Sequence, residues 1–461
     1  MQRIQDPVHG LMEFRGMEAT VIDLLRTAEL QRLRKIRQLG LVHLVFPGAE
    51  HSRLVHSLGA AYLAIRFGRR IEEVAGQTLV PGLSPGEESI RDLAVAALCH
   101  DLGHGPLSHA WEQQIVGENF DRELWQSTLG VPNDGALAQD AKWHEMVGHA
   151  LLAWEEGQLH RLLEQQEKGS STRIRHMLGG KYFLPYLPRL LSSDIDVDRA
   201  DFIRRDTRLT GVAYGRYDLN WLVSTATIGE LQYPSGSDLV FGFDGRKAIR
   251  VVEQFLMARR ALYETVYQHK TVRCAEGMVA LLLGRLKTIV QAGAVLQVAS
   301  FVDPIVRMIR GDAVPPQDLL SLDDFSLSVL IDAVANDDKM DQTARDLARR
   351  IVSRDLFKMV PVPTAKLNTF LRRADAYSEL HQKIKPYVSG DPQSYLIVDT
   401  ARFTLLSPDR KQAVYLIEDG KATAAHDHPI LRAHADATTE TVRIYTVREA
   451  VGAVTKLIQG A

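Results

Sequence analysis

Three histidines and an aspartate fall within ten residues in the run Leu98-Cys-His-Asp-Leu-Gly-His-Gly-Pro-Leu-Ser-His109. Imidazoles and carboxylates at this density can hold a transition metal or move protons near neutral pH. The run predicts a metal site that uses His100 and Asp101, with His104 and His109 handling protons beside it. A His-Asp pair is weak evidence alone, because a chain with 16 histidines contains about one by chance. A hydrolytic site also needs three or four protein ligands and an open position for water. His56 upstream and one carboxylate among Asp194, Asp196, Asp198, Asp201 and Asp206 downstream are available, and spacing does not choose among those aspartates. Two imidazoles with two carboxylates suit one divalent ion of iron, manganese, zinc, nickel or cobalt.

Helices must position these side chains. Residues 20 to 39 predict one, with Leu24, Leu30, Leu33, Ile36 and Leu39 at three-to-four spacing. Its other face carries Arg32, Arg34, Lys35 and Arg37, which reads either as a solvated face or as a polyphosphate contact. A helix from about Ser52 to Val74 carries Arg53 and His56, and Pro81 to Gly86 is a turn-rich break. The next helix opens near Glu87 and is stopped by Gly103, Gly105 and Pro106. His100 and Asp101 then sit in its last turn, where the negative end of the helix dipole favours a cation. Residues 112–142 predict an insertion of loops and short helices. Helical patterns resume over Trp143 to Glu155, from Ser193 through the aspartates, and over Arg246 to Leu286. Asp201 and Arg205 read as an ordinary i,i+4 pair, and aspartates at a helix start as complements to its dipole.

The predicted fold class is mainly α. An all-helical core spans residues 1–290 and a helical extension 291–385. A small α+β region, 386–461, has β-rich stretches at Tyr395 to Asp399, Ala413 to Glu418 and Val442 to Val447. The 461 residues are 45% hydrophobic and 24% charged with a net charge of -2, so no basic excess draws the chain to nucleic acid. Two cysteines, Cys99 and Cys274, cannot form a disulfide framework. No apolar run is long enough for a bilayer. The expectation is a cytoplasmic protein with no membrane partner.

Several motifs follow one another in a recognisable order: Asp6-Pro-Val-His-Gly10, Gln31-Arg-Leu-Arg-Lys-Ile-Arg-Gln-Leu-Gly40, Phe46-Pro-Gly-Ala-Glu-His-Ser-Arg-Leu-Val-His-Ser-Leu-Gly59, His100-Asp-Leu-Gly-His-Gly-Pro106, Ile195-Asp-Val-Asp-Arg199 and Tyr267-Gln-His-Lys270. The series resembles the HD-superfamily deoxynucleoside-triphosphate triphosphohydrolases, notably the branch holding the mammalian enzyme with SAM and HD domains. The likeness runs from about residue 4 to 360, and no SAM domain is read in this chain.

The resemblance implies hydrolysis of a dNTP to deoxynucleoside and triphosphate, with metal-bound hydroxide attacking the α-phosphorus. It implies His56, His100, Asp101 and Asp198 as metal ligands, choosing Asp198 over Asp196. His104, His109 and His144 fall at catalytic histidines, with His109 the donor to the leaving oxygen. Glu112, where the mammalian enzyme has aspartate, would orient His109, and Glu145 follows His144. Arg53, Arg199 and Arg259 would clamp the triphosphate, whose Mg2+ can accompany it. Arg199 replaces a lysine, and Phe202 replaces a tyrosine that contacts the terminal phosphate. Gln38 and Asp206 match groups on the sugar 3′-hydroxyl, Leu39 and Tyr267 those crowding the 2′ carbon, and Gln268 completes the neighbourhood. Gln31, Arg34, Arg354 and Lys358 match positions that hold an activating nucleotide between subunits of a dimer or tetramer, although Arg26 replaces the aspartate that reads guanine. Alternatives are an HD phosphohydrolase acting on an NTP, a nucleoside monophosphate or a cyclic nucleotide, and a non-catalytic nucleic-acid-binding scaffold.

Overall fold

The structure, a computed structural model, describes residues 1–78, 83–117, 120–406, 412–435 and 438–460, without the side chains of 109 and 433–439. Pro81 of the expected break therefore lies outside the described residues. The chain is mainly helical, as its periodicity predicts. The helix Arg53–Thr78 buries two stripes, Leu54, Leu58, Ala61 and Ile65 on one side and Ala60, Ala64, Phe67 and Ile71 on another. Two apolar stripes require two neighbours, and the helix packs against Glu87–Cys99 and Val197–Thr210. Glu87–Cys99 is buried from Ser89 onward on every face, so its last residues deliver His100 and Asp101 into the interior. No helix among the described residues is long and apolar enough to cross a membrane.

Two glycines let these elements approach closely. A Cβ at Gly59 would lie 2.0 Å from Asp201 Oδ1 and 2.4 Å from Arg205 Nη2. A Cβ at Gly103 would lie 1.8 Å from the carbonyl oxygen of His144, which belongs to the Trp143–Ala153 helix. The first contact seats the carboxylate-bearing helix on the His56 helix. The second seats the His104 loop on the His144 helix.

Several boundaries differ from the sequence-based expectations. The 20–39 stretch is not one helix but Thr20–Leu24, Ala28–Arg32 and a 3-10 turn Leu33–Lys35. It breaks where Thr27 turns both its backbone N–H and its hydroxyl to the Leu24 carbonyl. The helix expected from Ser193 begins at Val197, with Asp196 as its N-cap. The 246–286 stretch divides into Gly245–Leu262, a π-turn Tyr263–Tyr267 and Lys270–Gln291.

The core is also not all-helical. Strands Gln2–Asp6 and Gly10–Phe14 form a hairpin. A longer hairpin joins Ala226–Tyr233 to Gly236–Asp244 around Pro234-Ser235. Thr227, Ile228 and Tyr233 with that turn carry a strand signature, which the helical context obscured. This hairpin closes into a four-stranded barrel with Tyr415–Glu418 and Lys421–Ala424. Lys358–Met359 and Leu396–Thr404 flank Thr438–Thr446 in a separate antiparallel sheet. Residues 386–461 are thus not set apart from the core, because their strands complete sheets begun upstream.

The glycine contacts give a paired expectation. Gly59→Ala should destabilise the protein by about 1–3 kcal/mol through overpacking. Gly76→Ala, with nothing within 4 Å of its Cβ on the same helix, should stabilise it by about 0.5–1 kcal/mol. Denaturant unfolding of both variants checks the pair.

Candidate active site

His56, His100 and Asp198 bring one ligand atom each to a common point. His56 Nε2 lies 3.3 Å from His100 Nε2 and 3.0 Å from Asp198 Oδ1. His100 Nε2 is 3.5 Å from the same carboxylate oxygen. Asp101 lies at the rim, with Oδ1 3.4 Å from His100 Nε2 and Oδ2 3.8 Å from His56 Nε2, while Arg53 donates to Oδ2.

The second nitrogens decide what the cluster can hold. His56 Nδ1 sits 2.8 Å from Asp201 Oδ2, and His100 Nδ1 sits 2.7 Å from the Ala97 carbonyl. Both partners only accept, so both Nδ1 atoms carry hydrogen and both Nε2 atoms present lone pairs to each other and to Asp198. Such an arrangement needs a positive charge in its midst. Two imidazole nitrogens each about 2.0–2.1 Å from one ion stand roughly 3.3 Å apart at a tetrahedral angle, so the donor set fits a divalent metal. Without an ion, a proton takes that place. Burial opposes protonation of His56, but hydrogen bonds to Asp198 and Asp201 raise its pKa from 6.5 to about 10. Burial likewise opposes charge on His100, and the Asp101 and Asp198 carboxylates raise it. Asp198 is held ionised against its burial by those two histidines.

A buried ionic network stands behind His56. Asp201 accepts from His56, from His9 Nε2 at 2.6 Å and from Arg205 at 2.8 and 3.0 Å. Arg205 also reaches Asp6 Oδ2 at 2.9 Å, and Asp6 Oδ1 accepts from the backbone N–H groups of Val8 and His9. Asp201–Arg205 is therefore not an ordinary surface pair; both residues are fully buried. Asp196, by contrast, caps its helix by accepting from Arg199 N at 2.8 Å.

Beside the cluster, His104 stacks on His144 with centroids 4.2 Å apart and planes 16° apart. His144 Nδ1 donates to Glu112 Oε2 at 2.7 Å, and His104 Nε2 is 3.4 Å from Asp101 Oδ1. Burial, Arg53 and His144 hold the His104 pKa well below 6.5, so its ring is neutral. The side chain of His109 lies outside the described residues. Glu112, expected to orient His109, accepts from His144. Glu145 is exposed and its Oε2 accepts from Lys142 N, so it serves the capping box of its own helix and is not brought to the site.

Three side chains hold this loop, one of them the expected substrate residue Arg53. Arg32, read from sequence as part of a basic face, is buried and donates to the carbonyls of His104, Leu102 and Leu322 at 2.9, 2.5 and 2.8 Å. Asp324 accepts from Arg37 N and Leu107 N, both at 2.9 Å. Arg53 grips Ser108 Oγ through Nε and Nη2. These anchors surround two successive left-handed non-glycine residues, Leu107 and Ser108, each with φ of 51°. Strain of this kind persists only where surrounding contacts over-determine it.

A cavity of about 1020 Å3 adjoins the cluster. Of the expected substrate residues, Gln38, Leu39, Arg53, Phe202, Asp206, Tyr267 and Gln268 line it. Asp206 accepts from Tyr267 OH at 2.6 Å and from His51 Nε2 at 2.9 Å, and Gln38 Oε1 is buried with no donor. His51 was missed because its side chain reaches Asp206 across 155 residues. Arg199 and Arg259 are not in that lining: Arg199 pairs with Asp196, and Arg259 bonds the Leu405 carbonyl at 3.1 Å. The three-arginine clamp is thus not assembled. Arg34 donates to Gln31 at 3.1 Å, and Arg354 to the Leu44 carbonyl at 2.7 Å. Lys358 lies in the strand Lys358–Met359, and no contact within the chain joins these effector candidates into one group among the described residues. Arg26 bonds Asp23 at 2.8 Å.

Comparison with known proteins bears on this geometry. A family model described as HD domain matches residues 53–201. The chain is 30% identical over 402 residues to the uncharacterized protein YwfO of Bacillus subtilis, covering 86% of this chain and 79% of that one. It is 25% identical over 401 residues to deoxynucleoside triphosphate triphosphohydrolase SAMHD1 of Mus musculus, covering 83% of this chain and 57% of that protein. The chain thus spans little more than half the length of the mouse relative. A crystal structure of a phosphohydrolase from Bacteroides thetaiotaomicron shares the fold, with a TM-score of 0.73 at 22% identity over 97% of this chain and 100% of that one. The family match includes His56, His100, Asp101, Asp198 and Asp201, the residues that build and back the ligand cluster, and the chain belongs to the HD-domain family.

Proposed function

We propose that the chain is a metal-dependent phosphohydrolase that converts dNTPs to deoxynucleoside and triphosphate. The observation that carries the reading is the pair of facing Nε2 lone pairs, closed by Asp198 and set beside a cavity with a nucleotide's polar requirements. His56, His100, Asp101 and Asp198 would hold a divalent ion, which when bound would supply Lewis acidity toward water and a phosphoryl oxygen. The mouse relative's name supports the substrate class.

The chain's own residues have separable tasks. Arg53 lines the cavity and already donates to Asp101 and Ser108, so its guanidinium can face a phosphate while fixing the ligand loop. Gln38 Oε1, buried and lacking a donor, accepts from the sugar 3′-hydroxyl beside Asp206. The Tyr267 ring, held by its bond to Asp206, and Leu39 crowd the 2′ position against a ribose. Gln268 borders the same cavity, and Phe202 offers it an apolar edge without a hydroxyl for the terminal phosphate. His109 donates a proton to the departing 5′ oxygen. Neutral His104, stacked on His144, and the His144–Glu112 pair hold and pass protons beside it. Arg199 and Arg259 would join the phosphates only by leaving their present partners. A nucleotide effector and a homo-oligomer belong to the same reading.

A panel of dNTPs and NTPs with Mn2+ or Mg2+, with phosphate products resolved, tests the reaction. The expected result is intact triphosphate with free deoxynucleoside and little ribonucleotide turnover. Release of single phosphates or of pyrophosphate would overturn it.

Two further outcomes follow from the ligand geometry. Asp201→Asn should weaken metal binding by about 10–100-fold, because an amide no longer fixes the His56 tautomer. Asp196→Asn should leave metal affinity near wild type; competition with a chelator measures both. In the metal-free protein the His56 pKa is raised in the folded state, from 6.5 to about 10. Its stabilisation is therefore complete below about pH 6.5 and is lost as pH climbs toward 10. Denaturant unfolding of chelated protein should show that decline, and metal-loaded protein should show much less of it.

A further inference from the structure

A second cavity, of about 590 Å3, opens on the other side of the Val197–Thr210 helix. Helical geometry puts 204, 207 and 211 opposite 198, 202 and 206, so this recess is turned away from the metal ligands. Arg204, Arg208 and Arg216 line it, and no carboxylate does. Arg208 and Arg216 make no hydrogen bond or ion pair among the described residues. Arg204 gives one bond of 3.4 Å to the Tyr217 carbonyl, and its Nε is buried with no partner. By contrast, the buried guanidinium groups of Arg205 and Arg32 each make several bonds, to carboxylates and to backbone carbonyls respectively.

Three guanidinium groups share this recess without a counter-charge, Arg204 half-buried and Arg208 and Arg216 exposed, which makes it electropositive and favours an anion. Their forked donors match phosphate oxygens, and a buried unpaired Nε–H is a donor already stripped of water. Pro7, Val8 and Val212 add an apolar wall, and the volume lies in the range of about 300–1,000 Å3 typical of small-molecule sites. We infer that this recess is a binding site for a phosphate-bearing small molecule, distinct from the cavity lined by Gln38 and Asp206. Pro7 and Val8 belong to the turn whose Asp6 and His9 point inward to Arg205 and Asp201. An occupant therefore touches the outer side of the segment that backs His56. The inference does not depend on which reaction the metal site performs.

Isothermal titration of the metal-loaded full chain with inorganic pyrophosphate tests it. Arg53→Gln removes a guanidinium from the large cavity and should leave binding in the second recess intact. Arg204→Gln combined with Arg208→Gln should weaken that surviving binding roughly tenfold or more, the scale expected for lost charge-assisted bonds. Arg216→Gln, at an exposed position outside the helix, should weaken it in the same direction and serves if the double variant does not fold. Isotherms unchanged from wild type in folded Arg204→Gln/Arg208→Gln or Arg216→Gln protein would overturn the assignment. So would pyrophosphate binding in wild type that disappears entirely in Arg53→Gln.

Discussion

The Asp201 carboxylate is the constraint on which the rest of this molecule turns. It is fully buried and accepts from His9, His56 and Arg205 at once. A buried carboxylate costs several kcal/mol unless its lone pairs are satisfied, and here each donor comes from a different part of the chain. His9 arrives from the first hairpin, His56 from the long helix and Arg205 from the next turn of the helix carrying Asp201. One group therefore locks three elements together and turns the His56 Nε2 lone pair toward His100. Fold and ligand geometry are consequences of the same hydrogen bonds.

The proton-handling side of the site is built differently. There the backbone is the object being held. Arg32 spends its buried guanidinium on the His104, Leu102 and Leu322 carbonyls, and Asp324 fixes two backbone N–H groups. Charges that bond backbone rather than opposite charges are suited to holding a loop in an unfavourable conformation, and Leu107 and Ser108 are in one. The residue that follows is His109. The start of the Asp324–Asn336 helix thus contributes to the site although none of its side chains belongs to the ligand cluster.

What sequence could reveal was set by how local each feature is. His100 and Asp101 were legible because helix, stop signal and ligands lie within one run. Asp198 was not separable from Asp196 by spacing, since the choice depends on where the helix begins: Asp196 caps it and Asp198 enters its first turn. Arg32 looked like Arg34, Lys35 and Arg37, and only the break at Thr27 turns it inward. Asp201 and Arg205 show their i,i+4 pairing in the sequence, but their link to Asp6 and His9 carries no spacing signal, because it exists only after the hairpin folds onto the helix. The strands from Ala226 to Asp244 were hidden among strong helical patterns on both sides.

The barrel that those strands enter has a consequence for how the chain reaches its final form. Gly236–Asp244 meets Tyr415–Glu418 in parallel, with Phe243 opposite Leu416. During synthesis the hairpin emerges about 170 residues before its partner, which is roughly 10–35 seconds at ribosomal rates of roughly 5–20 residues per second. Over that interval its open edge can pair with another nascent chain. The glycines at 229 and 242, whose Cβ atoms would press on Ile417 and Tyr415, keep the seat shaped for this chain's own strand. Closure of the barrel is therefore a late event, possible only once Tyr415–Glu418 has been made.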